Sequence, residues 1–500
     1  MKPLKEILKE VEILEVYPKD ESWLNQPVYG VSDNSKEVSE GYVFIARKGT
    51  SFRGEDFIDE AVERGAKVIV RETPVETEKK LQGVYQIRVK DVKKALSQIV
   101  LNFFDHPEKK LTLIGVTGTN GKTSVCYFTK TLLQTLGIKT GYVGTIFYEI
   151  ERRIPATETT PSLIRLAGLM KEMVEKGFKA CVMEVSSHAL DQGRITGLKF
   201  EVAGFTNLSR DHLDYHKTME DYYQAKKKLF TEYLAPEGKA VLSFETESGK
   251  RLYQELKDFL SEDRILVVNN GTLRVEILGL EEGLEVELKF LNTGEAYRVK
   301  TSLFGEYQAK NLATVVGILM ALGYSKEEIC SRLETLKNPV GRLELVAEFR
   351  GAKIFVDYAH TPSALEHVLK SLLPLKKNRL IVVFGCGGNR DPGKRPLMGE
   401  VAENLSDYLI ITSDNPRFED PERIIQDIKQ GLKGVKPCKV IPDRKEAIEA
   451  AINLLEKGDI LVIAGKGHET YQEIQGKRYP FSDQDEVLET IKRLNKEYLK

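Results

Sequence analysis

The chain has 500 residues, 41% of them hydrophobic, with 74 basic against 75 acidic side chains. That length suggests roughly three domains of ~150 residues, and the balanced charge excludes a general nucleic-acid binder or a polyanion-seeking surface. Five scattered cysteines lack metal-ligand spacing, no signal-peptide core opens the chain, and no run approaches the ~18 continuous apolar residues of a membrane span, so a soluble cytoplasmic protein is expected.

From the amino end, residues 1–107 mix short elements: a strand at Tyr42–Ala46, a helix near Phe57–Arg64 and a strand at Val68–Val70. Asp105–Lys110, with Pro107 and two lysines, reads as a linker. The apolar run over 111–114 predicts a buried strand. GVTGTNGKTS follows at Gly115–Ser124; Val125, Phe128, Leu132, Leu133 and Leu136 then recur at helical spacing, with Gly137 placed to cap the helix. Strand, glycine loop and helix is the layout of a nucleotide triphosphate site. Glycines let backbone N–H groups turn onto phosphate oxygens, and the helix N-terminus adds partial positive charge. Lys122 would reach the terminal phosphates and the Thr123 hydroxyl a Mg²⁺ ion. The strict GxxxxGK[ST] pattern wants glycine at 116, where this chain has Val116.

Strands at Ala180–Val185 and Val202–Thr206 continue the alternation. The first delivers Glu184, and a carboxylate emerging from an apolar strand is costly unless paired or metal-bound. TNLSRDHLDYHKT then offers Asp211, His212, Asp214 and His216. Mg²⁺ prefers oxygen ligands, which favours Glu184 and Thr123 and makes His212 an unusual candidate. Read alone, DYYQAKKKLF at Asp221–Phe230 is a solvated helical face. Short strands across Gly271–Val299 precede a boundary at Asn338-Pro339. Four apolar strands follow, at Ile354–Val356, Leu380–Phe384, Tyr408–Ile411 and Ile460–Ile463, with helical patterns between them. They predict a parallel sheet covered on both faces, with ligands gathered at the carboxyl ends of the strands. Those ends carry Asp357, Gly385–Gly388, Ser413–Arg417 and Gly465–Glu469.

GTNGKT, ETTP, EVSSHAL, NLSRDHLDYH, the AK of YYQAKKKLF, VDYAHTP, GCGGNRD, KRPLM, DNPR and AGKGHE span the chain in order. This set resembles the Mur ligases, the ATP-dependent amide-bond-forming enzymes of peptidoglycan precursor synthesis. The resemblance implies an α/β protein of three domains: an N-terminal UDP-binding domain over 1–107, a central ATP-binding domain on a P-loop-type parallel sheet over 108–337, and a C-terminal Rossmann-like α/β domain, binding the amino acid, over 338–500.

By the same resemblance, ATP falls to Gly118, Thr119, Asn120, Gly121, Lys122, Thr123 and Ser124, with Asn311, Arg342 and Asp357 on the adenine, ribose and phosphates. Lys122, Glu184, His212 and Lys226 are the implied catalytic residues. Mg²⁺ falls to Thr123, Glu184, His212 and a CO₂-derived carbamate on Lys226, while Lys227 and Lys228 stay surface charge. Ser35, Thr159, Thr160, Ser186, Gln192 and Arg194 are implied for a UDP-sugar peptide, although Asn34-Ser35-Lys36 departs from the family's Asp-Ser-Arg. Arg390, Asp414, Asn415, Pro416, Arg417, Gly465 and Glu469 are implied for the incoming amino acid. Arg417 suits a bidentate clasp on the distal carboxylate of meso-diaminopimelate, which L-lysine lacks, and Asp414 and Glu469 suit its ammonium. The implied activity is addition of meso-diaminopimelate to UDP-MurNAc-L-Ala-D-Glu through an acyl phosphate, by a monomer with small-molecule partners and no nucleic acid or membrane span. An L-lysine-adding relative and a P-loop kinase or nucleotide-binding regulator are the alternatives.

Overall fold

The computed structural model describes residues 1–49, 53–76 and 81–498. Residues 1–271 with 314–325 form one compact unit; residues 272–313 with those from 326 onward form another. The architecture is mixed α/β with three sheet-centred domains, two in the first unit and one in the second.

The amino-terminal sheet runs Ile13–Tyr17, Tyr85–Val89, Ala66–Arg71, Tyr42–Ile45, Gly30–Ser32, parallel except for its first strand. Alternation divides its strands between two cores: Val43, Ile45, Val68 and Val70 face one, Phe44 and Ile69 the other. The expected linker is an ordered 3-10 turn at Pro107–Lys110. Glu108 is buried there, and the His106 ring joins its carboxylate (2.8 Å) to Asn102 Oδ1 (2.8 Å). Its two lysines, Lys109 and Lys110, are exposed, and local hydrogen bonds satisfy the buried Glu108.

The sheet that carries the glycine loop contains β1 (Thr112–Thr117), β2 (Thr140–Val143), β3 (Ala180–Glu184), β4 (Phe200–Phe205), β5 (Leu234–Ser243) and β6 (Ile265–Val268). Their order is β2-β3-β1-β4-β5-β6, all parallel, with an antiparallel hairpin of Phe147–Glu149 and Arg153–Pro155 added at β2. Helices α1 (Lys122–Thr135), α2 (Ser187–Gln192) and α3 (Met219–Thr231) follow strands β1, β3 and β4. α1 stops at a left-handed Gly137, as its sequence predicts. Val116 is explained here: it is a wholly buried strand residue, registered opposite Glu184 and Gly204, so the loop begins after β1 at Gly118.

The second unit holds an antiparallel ribbon (Leu273–Gly279, Glu285–Phe290, Glu295–Lys300) and a further sheet. That sheet contains β7 (Ala352–Asp357), β8 (Leu380–Phe384), β9 (Tyr408–Ile411) and β10 (Ile460–Ala464) in the parallel order β7-β10-β8-β9. The predicted strands are extended by two edges: Glu344–Phe349 lies antiparallel on β7, and Cys438–Val440 parallel on β9. Successive residues again divide between faces. Phe355, Val382, Phe384 and Val462 pack under helices at Pro362–Leu372, α4 (Lys394–Leu405) and Pro421–Lys429. Ile354, Ile381, Val383, Ile410 and Leu461 pack under α5 (Arg444–Asn453) and α6 (Asp483–Tyr498). Each fully buried aliphatic side chain stabilises the fold by about 1.5–3 kcal/mol relative to exposure. With both faces covered, the strand ends are left as the polar edge.

Candidate functional site

In the first unit, the loop after β1 is shaped by backbone geometry. Gly118 (φ +146°) and Gly121 (φ +85°) adopt conformations that disfavour side chains, and a Cβ on Gly118 would fall 1.9 Å from Thr206 Oγ1. The segment after β4 fastens the loop: Thr119 N donates to Asn207 O (2.9 Å), Asn120 N to Asn207 Oδ1 (2.9 Å), and Thr206 Oγ1 to Asn120 O (2.6 Å). Lys122, at the start of α1, places its ammonium on the carbonyls of Gly118 (2.9 Å) and Thr119 (2.8 Å). An anion would meet here a helix N-terminus, loop N–H groups and a lysine together.

Beside the loop lies Glu184, wholly buried at the end of β3. Its carboxylate accepts from Tyr142 Oη (2.7 Å), Thr145 N (2.9 Å), Thr145 Oγ1 (3.0 Å) and Thr123 Oγ1 (3.0 Å). Lys226 on α3 is buried too, and donates to Gly118 O (2.8 Å) with the Tyr222 ring 4.5 Å away. Burial, and then the Lys122 ammonium, push the Lys226 ammonium far below the ordinary lysine range. Among the described residues, neither Glu184 nor Lys226 has an ion-pair partner. Lys227 and Lys228 are partly exposed and pair with Glu255 (2.9 Å) and Asp191 (3.5 Å). His212, exposed at φ +53°, has its ring 5.9 Å from that of Tyr222. His216 is buried against Ser187 Oγ (2.9 Å), with its pKa lowered chiefly by burial.

Most of the residues expected to hold the UDP-sugar peptide gather around Glu184. Thr160 Oγ1 donates to Glu184 O (2.7 Å) and accepts from Ser186 N (3.0 Å); Thr159 Oγ1 lies 3.0 Å from Thr145 Oγ1. Arg194 spans Gln192 Oε1 (2.8 Å), Thr160 O (2.9 Å) and Glu158 Oε1 (2.7 Å). Ser35 stands apart from them, buried with its hydroxyl on Glu60 Oε2 (2.6 Å).

The second unit carries two clusters. In the first, Asp357 at the end of β7 accepts Leu343 N (2.6 Å) and Ala359 N (2.7 Å); burial raises its pKa against the opposing pull of Arg342. The Arg342 guanidinium lies 5.1 Å from the Tyr358 ring centre. Asn311 donates to Gln308 Oε1 (2.8 Å), and the wholly buried Gln308 leaves its own Nε2 without a partner among the described residues.

The second cluster fills the ends of β8, β9 and β10. Arg417, at φ +53°, donates through Nη1 to Gly388 O (2.8 Å), and its backbone exchanges hydrogen bonds with Glu473 O (3.0 Å) and Gln475 N (2.6 Å) of the hairpin β11 (Tyr471–Ile474) and β12 (Lys477–Pro480). Gly465 (φ +116°) packs so closely on Asp414 that a Cβ would meet Oδ2 at 2.5 Å. Asn415 Nδ2 donates to Glu469 Oε2 (2.8 Å). Pro416 O accepts Glu419 N (3.0 Å), and Arg390 is exposed on the loop after β8.

Three buried cations, none of them anticipated, sew these loops together. Arg444 donates to both Asp483 oxygens (2.8 Å each) and to the carbonyls of Ser413 (3.2 Å) and Ala464 (3.1 Å). Arg395 binds Asp427 (2.9 Å), both oxygens of Glu419 (3.0 Å) and Gly387 O (3.4 Å). Lys466 joins Asn415 to Glu469. Tyr142 and Thr145 were missed as well, since only the fold brings them to Glu184, and Asn207, the first residue of NLSRDHLDYH, had been given no role. KRPLM and AGKGHE did flag Arg395 and Lys466 as motif members, without a role.

Residues 27–104 match the Mur ligase family catalytic domain, 116–319 the Mur ligase middle domain, and 341–467 the Mur ligase glutamate ligase domain. The chain is 43% identical over 478 residues to the UDP-N-acetylmuramoyl-L-alanyl-D-glutamate–2,6-diaminopimelate ligase of Aquifex aeolicus, covering 94% of this chain and 95% of that one. It is 40% identical to the ligase of the same name from Fusobacterium nucleatum, with 94% and 95% covered. A solved structure of a ligase so named superposes with a TM-score of 0.71 at 32% identity, covering 99% of each chain. A MurF ligase from Thermotoga maritima in complex with ADP shares the fold at 21% identity, with a TM-score of 0.57 over 94% of this chain and 99% of that one.

Proposed function

The chain belongs to the Mur ligase family, and from that premise we propose that it uses ATP to join meso-2,6-diaminopimelate to UDP-MurNAc-L-Ala-D-Glu. The observation that carries the choice of amino acid is Arg417, ordered in the same loop system as Asn415 and Glu469. A guanidinium can clasp a distal carboxylate with two parallel hydrogen bonds, and leaving it unpaired would disfavour an amine without that carboxylate. We keep the division 1–107, 108–337 and 338–500 as its domains, for the UDP moiety, ATP and the amino acid.

The D-glutamate γ-carboxylate attacks the γ-phosphate of ATP, giving an acyl phosphate and ADP. The amine then attacks the acyl carbon and phosphate leaves. Loop N–H groups and Lys122 stabilise the phosphates, with Asn311, Arg342 and Asp357 on the rest of the nucleotide. The unpartnered Gln308 Nε2 beside Asn311 supports a polar ligand there. Thr160, Ser186, Gln192 and Arg194 would orient the peptide carboxylate next to Glu184, and Ser35 the uridine end.

The hard oxygen donors of Thr123 and Glu184, side by side (3.0 Å), fit Mg²⁺, which prefers oxygen ligands. With His212 and Lys226 as a carbamate they would hold it, and it would neutralise charge on the transferred phosphoryl. Burial of Lys226 without an anion favours the neutral amine that takes up CO₂. In the decisive assay, enzyme, ATP and UDP-MurNAc-dipeptide receive meso-diaminopimelate or L-lysine, and phosphate and tripeptide are measured. Tripeptide formed with diaminopimelate alone is the expected result. Phosphate release independent of any amino acid would overturn the reading.

A further inference from the structure

We propose that Lys466 is a positioning residue of the amino-acid site, its buried ammonium fixing Asn415 and Glu469 so that Glu469 Oε1 is the oxygen left to receive the substrate's ammonium. The proposal rests on the reading of this cluster as the amino-acid site.

Lys466 follows β10 in the run Ala464-Gly465-Lys466-Gly467-His468-Glu469 and is wholly buried. An ammonium removed from water must be paired and hydrogen-bonded. Lys466 has two such partners, Asn415 Oδ1 at 2.9 Å and Glu469 Oε2 at 3.0 Å, with the Tyr471 ring centre 5.5 Å away. Glu469 N also donates to Lys466 O (3.0 Å), so main chain and ion pair close the same four-residue turn. The turn is packed from outside: a Cβ on Gly467 (φ +54°) would lie 2.6 Å from Tyr358 Cβ. It has little room to rearrange.

The ammonium also settles which way the Asn415 amide faces. Oδ1 accepts from Lys466 and from Glu473 N (2.9 Å), so Nδ2 is turned to Glu469 Oε2 (2.8 Å). Oε2 therefore has two donors, while among the described residues Oε1 has none. Without Lys466, the amide would lose its reason to face one way and the carboxylate its fixed rotamer. The pocket would then hold a negative charge of uncertain direction in place of one aimed oxygen.

The test is Lys466→Met, which keeps the length and removes the charge. The KM for diaminopimelate should rise about 30-fold, the worth of a charge-assisted hydrogen bond. The KM values for ATP and UDP-MurNAc-dipeptide should stay within about threefold, the scatter expected where no contact is lost. A uniform loss in kcat and all three KM values with a lowered Tm would show a structural role alone and overturn the proposal. Glu469→Gln and the double variant Lys466→Met/Glu469→Gln complete a cycle that holds even if the single lysine variant misfolds, because the double variant buries no unpaired charge. If Lys466 acts through Glu469, the double variant binds diaminopimelate as Glu469→Gln does; a further loss beyond about threefold overturns the proposal. Wild-type enzyme that transfers no diaminopimelate would sink the site reading itself, whereas an unchanged KM in Lys466→Met, with wild type active, would sink only the role of Lys466.

Discussion

The glycine loop of the first unit and the strand-end loops of the second are the two proposed sites for charged ligands, and they differ in the groups that would face the ligand. Around Gly118–Lys122 these are main-chain N–H groups and one lysine, set by two positive-φ glycines and by hydrogen bonds from Thr206 and Asn207. Around Asp414–Arg417 and Gly465–Glu469 the binding side chains depend on Arg395, Arg444 and Lys466, which reach across dozens of residues in sequence. A phosphate is the same in every nucleotide site and suits a cradle of main-chain groups. An amino acid must be told from others, and that needs side chains fixed from several directions.

The sharpest break in this comparison is Arg444→Met. It leaves Asp483 buried without a counter-ion and should destabilise the protein by about 3–5 kcal/mol, read by denaturant unfolding. Removing both charges, as Arg444→Met/Asp483→Leu, should restore most of that stability. The KM for diaminopimelate should stay raised, because the carbonyls of Ser413 and Ala464 still lack their donor. Full recovery of both would mean that the ion pair serves folding alone.

Gly118→Ala is the counterpart in the first unit. The added Cβ collides with Thr206 Oγ1 and cannot keep φ near +146°, so the loop must shift. A displacement of about 1 Å should lower ATP-dependent phosphate release about 10²-fold, with a loss of roughly 1–3 kcal/mol in unfolding free energy from the backbone strain. Arg417→Ala should be smaller, about 30-fold in kcat/KM for diaminopimelate. Any reaction with L-lysine should change far less, and equal losses would remove Arg417 from substrate choice.

The same contrast decides what could be read from the sequence. The glycine loop was legible because its residues are contiguous, and even Val116 proved to be a buried residue of the strand that runs into the motif. The four central strands of the second sheet were legible as apolar runs, whereas Cys438–Val440, exposed throughout, carried no such signal. Asp105–Lys110 was legible as a connecting segment, but its charges gave no hint of the bonds from His106 to Glu108 and Asn102. Glu184 announced itself as a carboxylate ending an apolar strand, but Tyr142 and Thr145, which hold it, could not, since parallel pairing of β2 and β3 brings them there. Arg444 and Asp483 look like ordinary surface residues of two polar helix starts until tertiary structure buries them against each other.

The smallest effects separate the two designs most cleanly, because two helix caps of similar strength sit in the two regions. Thr218 Oγ1 accepts Asp221 N (3.0 Å) at the start of α3, the helix of Lys226, and Asp443 Oδ1 accepts Glu446 N (3.0 Å) at the start of α5, next to Arg444. Thr218→Ala and Asp443→Ala should each destabilise by about 1 kcal/mol in unfolding experiments. Their kinetics should differ. Lys226 lies two turns into its helix and is held by burial and Gly118 O, so loss of the Thr218 cap should leave all KM values within about twofold, as fraying is confined to the first turn. Arg444 is the first residue after its cap, and its guanidinium sets the carbonyls that precede Asp414 and Gly465. Asp443→Ala should therefore raise the KM for diaminopimelate by about three- to fivefold while leaving that for ATP unchanged. Equal behaviour of the two variants would show that the strand-end loops keep their shape without the arginine.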